Sequence, residues 1–228
     1  FLIPFLLMMA IGPKLKWIKS DLQNKSFLIL FLIISFLLSI FVIKDFDVHF
    51  LINTILVTSA FYLFFITLRD FFIKKKNLSQ NIAHFGFSLF ILSILFNNIF
   101  STEIITNLKI GETFKTKKFE KNFEKIENKN EKNFKAIVGK FNIKNLNGKI
   151  EILEPELRIY NQPNIVTSEA DIKTNLMTDK FITMNLVQNQ DYFNIRYQVK
   201  PFMFWIWLSV LLISLGGLIS LFKKRHES

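Results

Sequence analysis

The sequence predicts a multi-pass α-helical membrane protein that carries one inserted, mainly-β domain. Three observations predict it. Apolar residues gather in long blocks almost free of charge. Basic residues collect in the short stretches between blocks. Residues 101–200 lose the block pattern and take up short runs of period-two alternation separated by turn signals. Half of the 228 residues are hydrophobic and mean hydropathy is +0.31. A soluble domain of this length, whose surface must be largely polar, rarely reaches such values.

The blocks at 26–43, 48–68, 82–100 and 202–222 each run about 18–21 residues, enough at about 1.5 Å per residue to cross a bilayer core. They predict four full transmembrane helices. Residues 1–12 form a fifth apolar block, too short to cross. It begins at Phe1 without the basic start and small-residue cleavage site of a signal peptide. It reads as the cut end of a longer helix, and the chain as a fragment or as one piece of a longer or split protein. The loop at 13–25 holds Lys14, Lys16, Lys19 and Lys25, the loop at 69–81 holds Arg69, Lys74, Lys75 and Lys76, and the tail at 223–228 holds Lys223, Lys224 and Arg225. The positive-inside rule assigns these to the cytoplasm. The turn at 44–47, with Lys44, Asp45 and Asp47, and the segment 101–200 then fall outside.

Within 101–200, the Lys/Glu/Asn-rich stretch at 115–135 reads as a solvated hairpin. Strand-like runs follow at Ala136–Ile143, Lys149–Leu153, Glu156–Tyr160, Ser168–Lys173, Phe181–Leu186 and Tyr192–Val199. Asn147-Gly148 marks a hairpin turn. This spacing argues for an antiparallel sheet or sandwich. Pro201 is expected to open the last helix, 201–222, where its missing N–H costs nothing. Trp205 and Trp207 follow at the depth indoles prefer near the membrane interface.

A net charge of +11 does not point to nucleic acid, because the lysines lie where topology requires them rather than in one patch. Cysteine is absent, so disulfides and thiolate chemistry are excluded within this chain. No phosphate loop, dinucleotide fingerprint or nucleophile elbow is present. Few charges lie inside the spans and no span is broken, which argues against a transporter. Glu154 and Glu156 around Pro155, followed by Arg158, read as a charged strand entry with a local ion pair. His49 reads as interfacial and His226 as part of a solvated tail. The candidate that remains is His84, at the start of the 82–100 helix between Ala83 and Gly86. An imidazole there is a neutral ligand for haem iron, and small neighbours let a flat macrocycle approach the backbone. From position alone the plainer reading comes first: a helix-end histidine bonding a headgroup or a neighbouring helix.

Several strings in order along the chain resemble one family. They are Pro4–Trp17 ending in Gly12-Pro13-Lys14-Leu15-Lys16-Trp17, then Ala83-His84-Phe85-Gly86, Gly111-Glu112 and Asn133-Phe134. Further along come Leu153–Tyr160 with Thr167–Ala170, Asp179 with Phe181-Ile182, and Lys200-Pro201 with Trp205-Ile206-Trp207 and Leu215-Gly216-Gly217-Leu218. Together these are similar to the C-terminal half of the CcmF-type cytochrome c biogenesis haem lyase subunit of System I. The resemblance implies a haem lyase component that takes haem from a periplasmic haem chaperone and supports its thioether attachment to apocytochrome c. It implies a b-type haem with His84 as one axial ligand and the second ligand outside this chain. It also implies the bacterial inner membrane for the spans, with 101–200 in the periplasm. The implied partners are the N-terminal half of the same lyase, the haem chaperone, apocytochrome c with its thiol-reducing chaperones, and membrane lipid. The family's tryptophan-rich periplasmic motif and its two periplasmic histidines have no counterpart here, so no catalytic residue is expected in this chain. The alternative is a non-catalytic membrane scaffold that docks apocytochrome or haem chaperone.

Overall fold

The computed structural model describes residues 1–14, 25–43, 49–73, 78–116, 119–145, 148, 150–187 and 191–226. Lys16, Lys19, Lys74, Lys75, Lys76, the turn at 44–47, Asn147 and the side chains of the 223–228 tail lie outside this description. Two compact units result, one made of residues 1–99 with 202–228 and the other of residues 100–201.

In the first unit the apolar blocks form helices because a chain in lipid must satisfy every backbone N–H and C=O internally. These are α1 (Leu2–Ile11), α2 (Lys25–Val42), α3 (Phe50–Ile73), α4 (Leu78–Phe100) and α5 (Met203–His226). Among the described residues three are long and apolar enough to cross a membrane: Phe50–Ile73, Leu78–Phe100 and Met203–Phe222. Expected as full crossings were 26–43, 48–68, 82–100 and 202–222. The last three correspond to these helices, whereas α2 is a shorter apolar helix whose flanking residues 15–24 and 44–48 are not described.

Helix α3 is the hub, carrying a buried stripe that includes Val57, Ala60, Leu63 and Ile66 and joins Leu6 and Ala10 of α1 in one core. Hydroxyls bridge the helices where lipid offers no competing water. Ser39 of α2 meets Thr58 of α3 at 2.7 Å, and Thr67 of α3 meets Ser88 of α4 at 2.7 Å. Lys14 and Asp70 form an ion pair of 2.7 Å, and the Arg69 guanidinium lies 4.0 Å from the Phe27 ring centroid.

The second unit is a sandwich of two antiparallel sheets. One holds four strands in the order β1 (Thr102–Leu108), β10 (Phe193–Pro201), β9 (Thr178–Leu186), β8 (Asp171–Thr174). The other runs β2 (Thr113–Lys115), β3 (Phe119–Asn130), β4 (Phe134–Asn145), β6 (Glu156–Tyr160), β7 (Val166–Glu169), with β5 (Ile150–Leu153) also paired to β4. Inward residues alternate along each strand, so Phe123, Phe141, Ile143 and Leu153 face Ile182, Met184, Ile195 and Tyr197 across one core.

Three expectations are corrected here. The 115–135 stretch, expected as a solvated hairpin, does hold the hairpin strand β3, but it is not wholly solvated: Lys121 and Phe123 are fully buried while most of the strand's other described side chains stay exposed. The single strand expected at Ser168–Lys173 is two strands, β7 paired with β6 and β8 paired with β9, so the chain changes sheet at Ala170. Pro201 ends β10 instead of opening α5. It pairs with Thr178 on the β9 side, while the β1–β10 ladder ends at Thr102 and Val199, so its missing N–H interrupts no rung of that ladder. Phe202 then turns the chain into α5 at a φ of 61°.

Candidate functional site

Packing on α3 fixes the rotation of α4. The Asn81 side-chain amide donates to the Asp70 carbonyl at 3.2 Å, Ser88 meets Thr67, and Phe85 stacks on Phe71 at 5.4 Å between centroids. These contacts turn Ala83 and His84 toward α5. There Gly216 lets the two helices touch: a Cβ at this position would lie 2.8 Å from the Ala83 Cβ, the Ala83 nitrogen and the Ser79 carbonyl oxygen. One turn along, a Cβ on Gly86 would lie 3.0 Å from Ile213 and Leu212.

The result is an open groove of about 190 Å³ lined by Ser79, Gln80, Ala83, His84, Gly216, Gly217 and Ser220. Every lining side chain except Gln80 and the imidazole is small, and a Cβ on Gly217 would meet nothing within 4 Å. The groove therefore has one strong donor atom set, the ring nitrogens of His84, beside a flat, shallow wall. Asp70 lies within electrostatic reach of His84. Among the described residues no hydrogen bond occupies the His84 imidazole. No three His, Cys, Asp or Glu side chains among them converge on a metal position, and of these residue types only His84 is among the described residues lining the groove. The His84 ring nitrogens, which no hydrogen bond among the described residues occupies, and the open space beside Gly217 fit a single imidazole ligand to a flat cofactor.

Both small neighbours of His84 were expected to open space for a macrocycle. Ala83 does line the groove, but Gly86 is filled by α5 and serves helix packing. The opposite wall, Gly216-Gly217 with Ser220, was not foreseen as part of the site. Its signal was the adjacent glycine pair in an apolar span, a pattern that permits close helix approach. His49 is exposed at the start of α3, where its carbonyl accepts the Asn53 N–H at 2.9 Å, and it is not brought to the groove. Glu156 pairs with Arg158 at 2.9 Å, as expected of a local ion pair. Glu154 stays outside that pair; its N–H donates to the Asp171 carboxylate at 2.6 Å.

Two of the landmark strings lie where the sandwich turns. Gly111 has a φ of 85° in the β1–β2 turn, and the Glu112 carboxylate accepts the Lys109 N–H at 2.8 Å. Pro155 separates β5 from β6 along the same edge of β4 and accepts the Gly139 N–H at 3.0 Å.

Residues 99–201 match the family model described as the CcmF C-terminal beta-sandwich. A cytochrome c-type biogenesis protein CcmF of Haemophilus influenzae is 27% identical over 98% of this chain and 37% of its own length. The Escherichia coli protein of the same name is 23% identical over 99% of the chain and 36% of its length. The chain thus spans a little over a third of the length of these two relatives. A solved structure named cytochrome c heme lyase CcmF superposes with a TM-score of 0.68 at 19% identity, over 95% of this chain and 38% of that one. Residues 99–201 thus match the CcmF C-terminal beta-sandwich, and nearly the whole chain is similar in sequence to CcmF proteins and in fold to the solved one.

Proposed function

We propose that this chain is one part of a cytochrome c haem lyase and that His84 supplies one axial ligand to a b-type haem, the other ligand coming from sequence outside this chain. The observation that carries the reading is the placement of the His84 imidazole beside a groove walled by Ser79, Ala83, Gly216, Gly217 and Ser220. A b-type haem bound there supplies a one-electron couple, which suits thioether attachment because that chemistry requires ferrous iron in the substrate haem. The chain's own contribution is ligation and orientation: α3 sets the rotation of α4, Gly216 holds α5 against it, and Gly217 leaves the wall flat. No residue of this chain is assigned to bond making. The thiols come from apocytochrome c, and haem arrives from a haem chaperone. In this reading four full crossings and a further N-terminal helix lie in the bacterial inner membrane. Residues 101–200 are periplasmic and the basic loops and tail cytoplasmic. The remaining partners are the N-terminal half of the lyase and the thiol-reducing chaperones of apocytochrome c.

The test is a reduced-minus-oxidised spectrum of the chain purified with the rest of the lyase. A b-type signal that His84→Ala abolishes supports the reading, and a signal indifferent to that substitution removes His84 from the site. A parent complex without any b-type signal leaves the scaffold reading, in which the sandwich docks apocytochrome or chaperone.

A further inference from the structure

We propose that the β8–β9 hairpin tip, Leu176 and Met177, inserts into the bilayer surface as a third attachment of the sandwich to the membrane, besides its two covalent links to α4 and α5. The register within the sandwich carries this. Thr102, two residues after the end of α4, pairs with Val199, and Thr178 pairs with Pro201, two residues before α5 begins. The start of β1, the end of β10 and the start of β9 therefore share one end of the four-stranded sheet. The chain passes to its membrane helices only at that end. The tip, residues 175–177, projects past the last paired rung there.

The tip is the wrong composition for a turn in water. Exposed turns favour Gly, Asn, Asp and Ser, yet Leu176 is 61% exposed and Met177 57% exposed. They cannot fold back, because the Asn175 side-chain oxygen accepts the N–H groups of both Met177 and Thr178 at 2.8 Å and locks the turn. Charge at this end is suited to a lipid surface. Lys180 is neutralised by Glu151, whereas its cross-strand neighbour Lys173 is exposed two residues before the locked turn, where it can meet an anionic headgroup. The Lys180–Glu151 pair also ties β5 to this end, adding exposed Ile150 to the apolar rim. Two large apolar side chains on a rigid tip, flanked by a lysine, are the chemistry of interfacial insertion.

The absence of cysteine makes the experiment clean. Leu176→Cys and Met177→Cys are each labelled with an environment-sensitive fluorophore in the full chain, reconstituted in nanodiscs of phosphatidylcholine and phosphatidylglycerol. Ile110→Cys is the control, since Ile110 is 53% exposed in the turn at the far end of β1. Quenching by nitroxide-bearing lipid is expected to be about twofold or more stronger at 176 and 177 than at 110, with iodide quenching correspondingly weaker, as for side chains about 5–10 Å into the headgroup boundary. Iodide access at 176 and 177 equal to that at 110 overturns the proposal. So does protection from both quenchers, which marks a protein contact in place of lipid.

Discussion

Lys121 lies on the inner face of β3 opposite Ile143, fully buried, with its ammonium 3.9 Å from the Tyr197 ring centroid. Burial pushes its pKa down to about 7, whereas in an unfolded chain it titrates near about 10. Between those values the unfolded chain holds a proton that the folded chain lacks, so sandwich stability rises with pH. This group alone contributes a slope of up to about 1.4 kcal/mol per pH unit. Below that window both states are charged and its slope vanishes. Burial also raises the Tyr197 phenol above its usual range, so at still higher pH the unfolded chain ionises first and stability falls. Urea midpoints at about pH 6, 8 and 10 check this: they should climb in the parent, and Lys121→Met should flatten the profile and raise the pH 6 value. A parent whose midpoints do not move over this range contradicts the burial of an ionisable lysine. Sequence could not reveal Lys121, because it stands in a Lys/Glu/Asn run that reads as solvated. His84 drew attention for the opposite reason, since an ionisable residue inside an apolar span stands out against its surroundings.

Helices α4 and α5 separate two roles within one glycine pair. Gly216→Ala places a methyl against backbone atoms of Ala83 and Ser79, so it forces the helices apart. It is expected to cost about 1–3 kcal/mol of stability and to weaken the b-type signal together. Gly217→Leu meets open space and fills the groove beside His84. It should weaken the signal while leaving the thermal midpoint of the apoprotein in place. The paired measurement is haem content against thermal midpoint, and equal behaviour of the two variants would contradict this division. Thr67→Val removes the hydroxyl bridge to Ser88; thermal or denaturant unfolding should register a loss of only about 0.6 kcal/mol, the average for such bonds inside membranes. At this scale the sequence was informative where periodicity was strong. Glu156–Tyr160 was placed with its observed bounds, and the helix blocks were found to within a few residues. It failed where pairing partners decide the outcome. Asp171 and Ile172 alternate in continuity with β7, yet they pair with β9 in the other sheet. Pro201 has the local chemistry of a helix start, but its pairing with Thr178 keeps it in the strand.

At the scale of the molecule, the sandwich has a core of its own. Phe123, Phe141, Ile143, Leu153, Ile182, Met184, Ile195 and Tyr197 form one cluster drawn wholly from residues 100–201. Those residues are therefore expected to fold when expressed alone, giving a single cooperative denaturant transition and a β-sheet circular dichroism spectrum. A non-cooperative, ANS-binding product would show that the membrane helices are needed to form the core. The division into helices and an inserted β unit was readable from composition, because lipid and water impose different periodicities. The two-sheet topology was not readable, since β1 and β10 lie at opposite ends of the insert and no local signal joins them. That closure has a consequence for biosynthesis. The ribosome delivers Thr102 nearly a hundred residues ahead of its partner Val199, a delay of about 5–20 s at ordinary elongation rates. During that interval the nascent β1 edge offers unsatisfied amides and carbonyls to any passing strand. Quality control of this protein thus has a defined moment of greatest exposure, which ends when the last strand emerges.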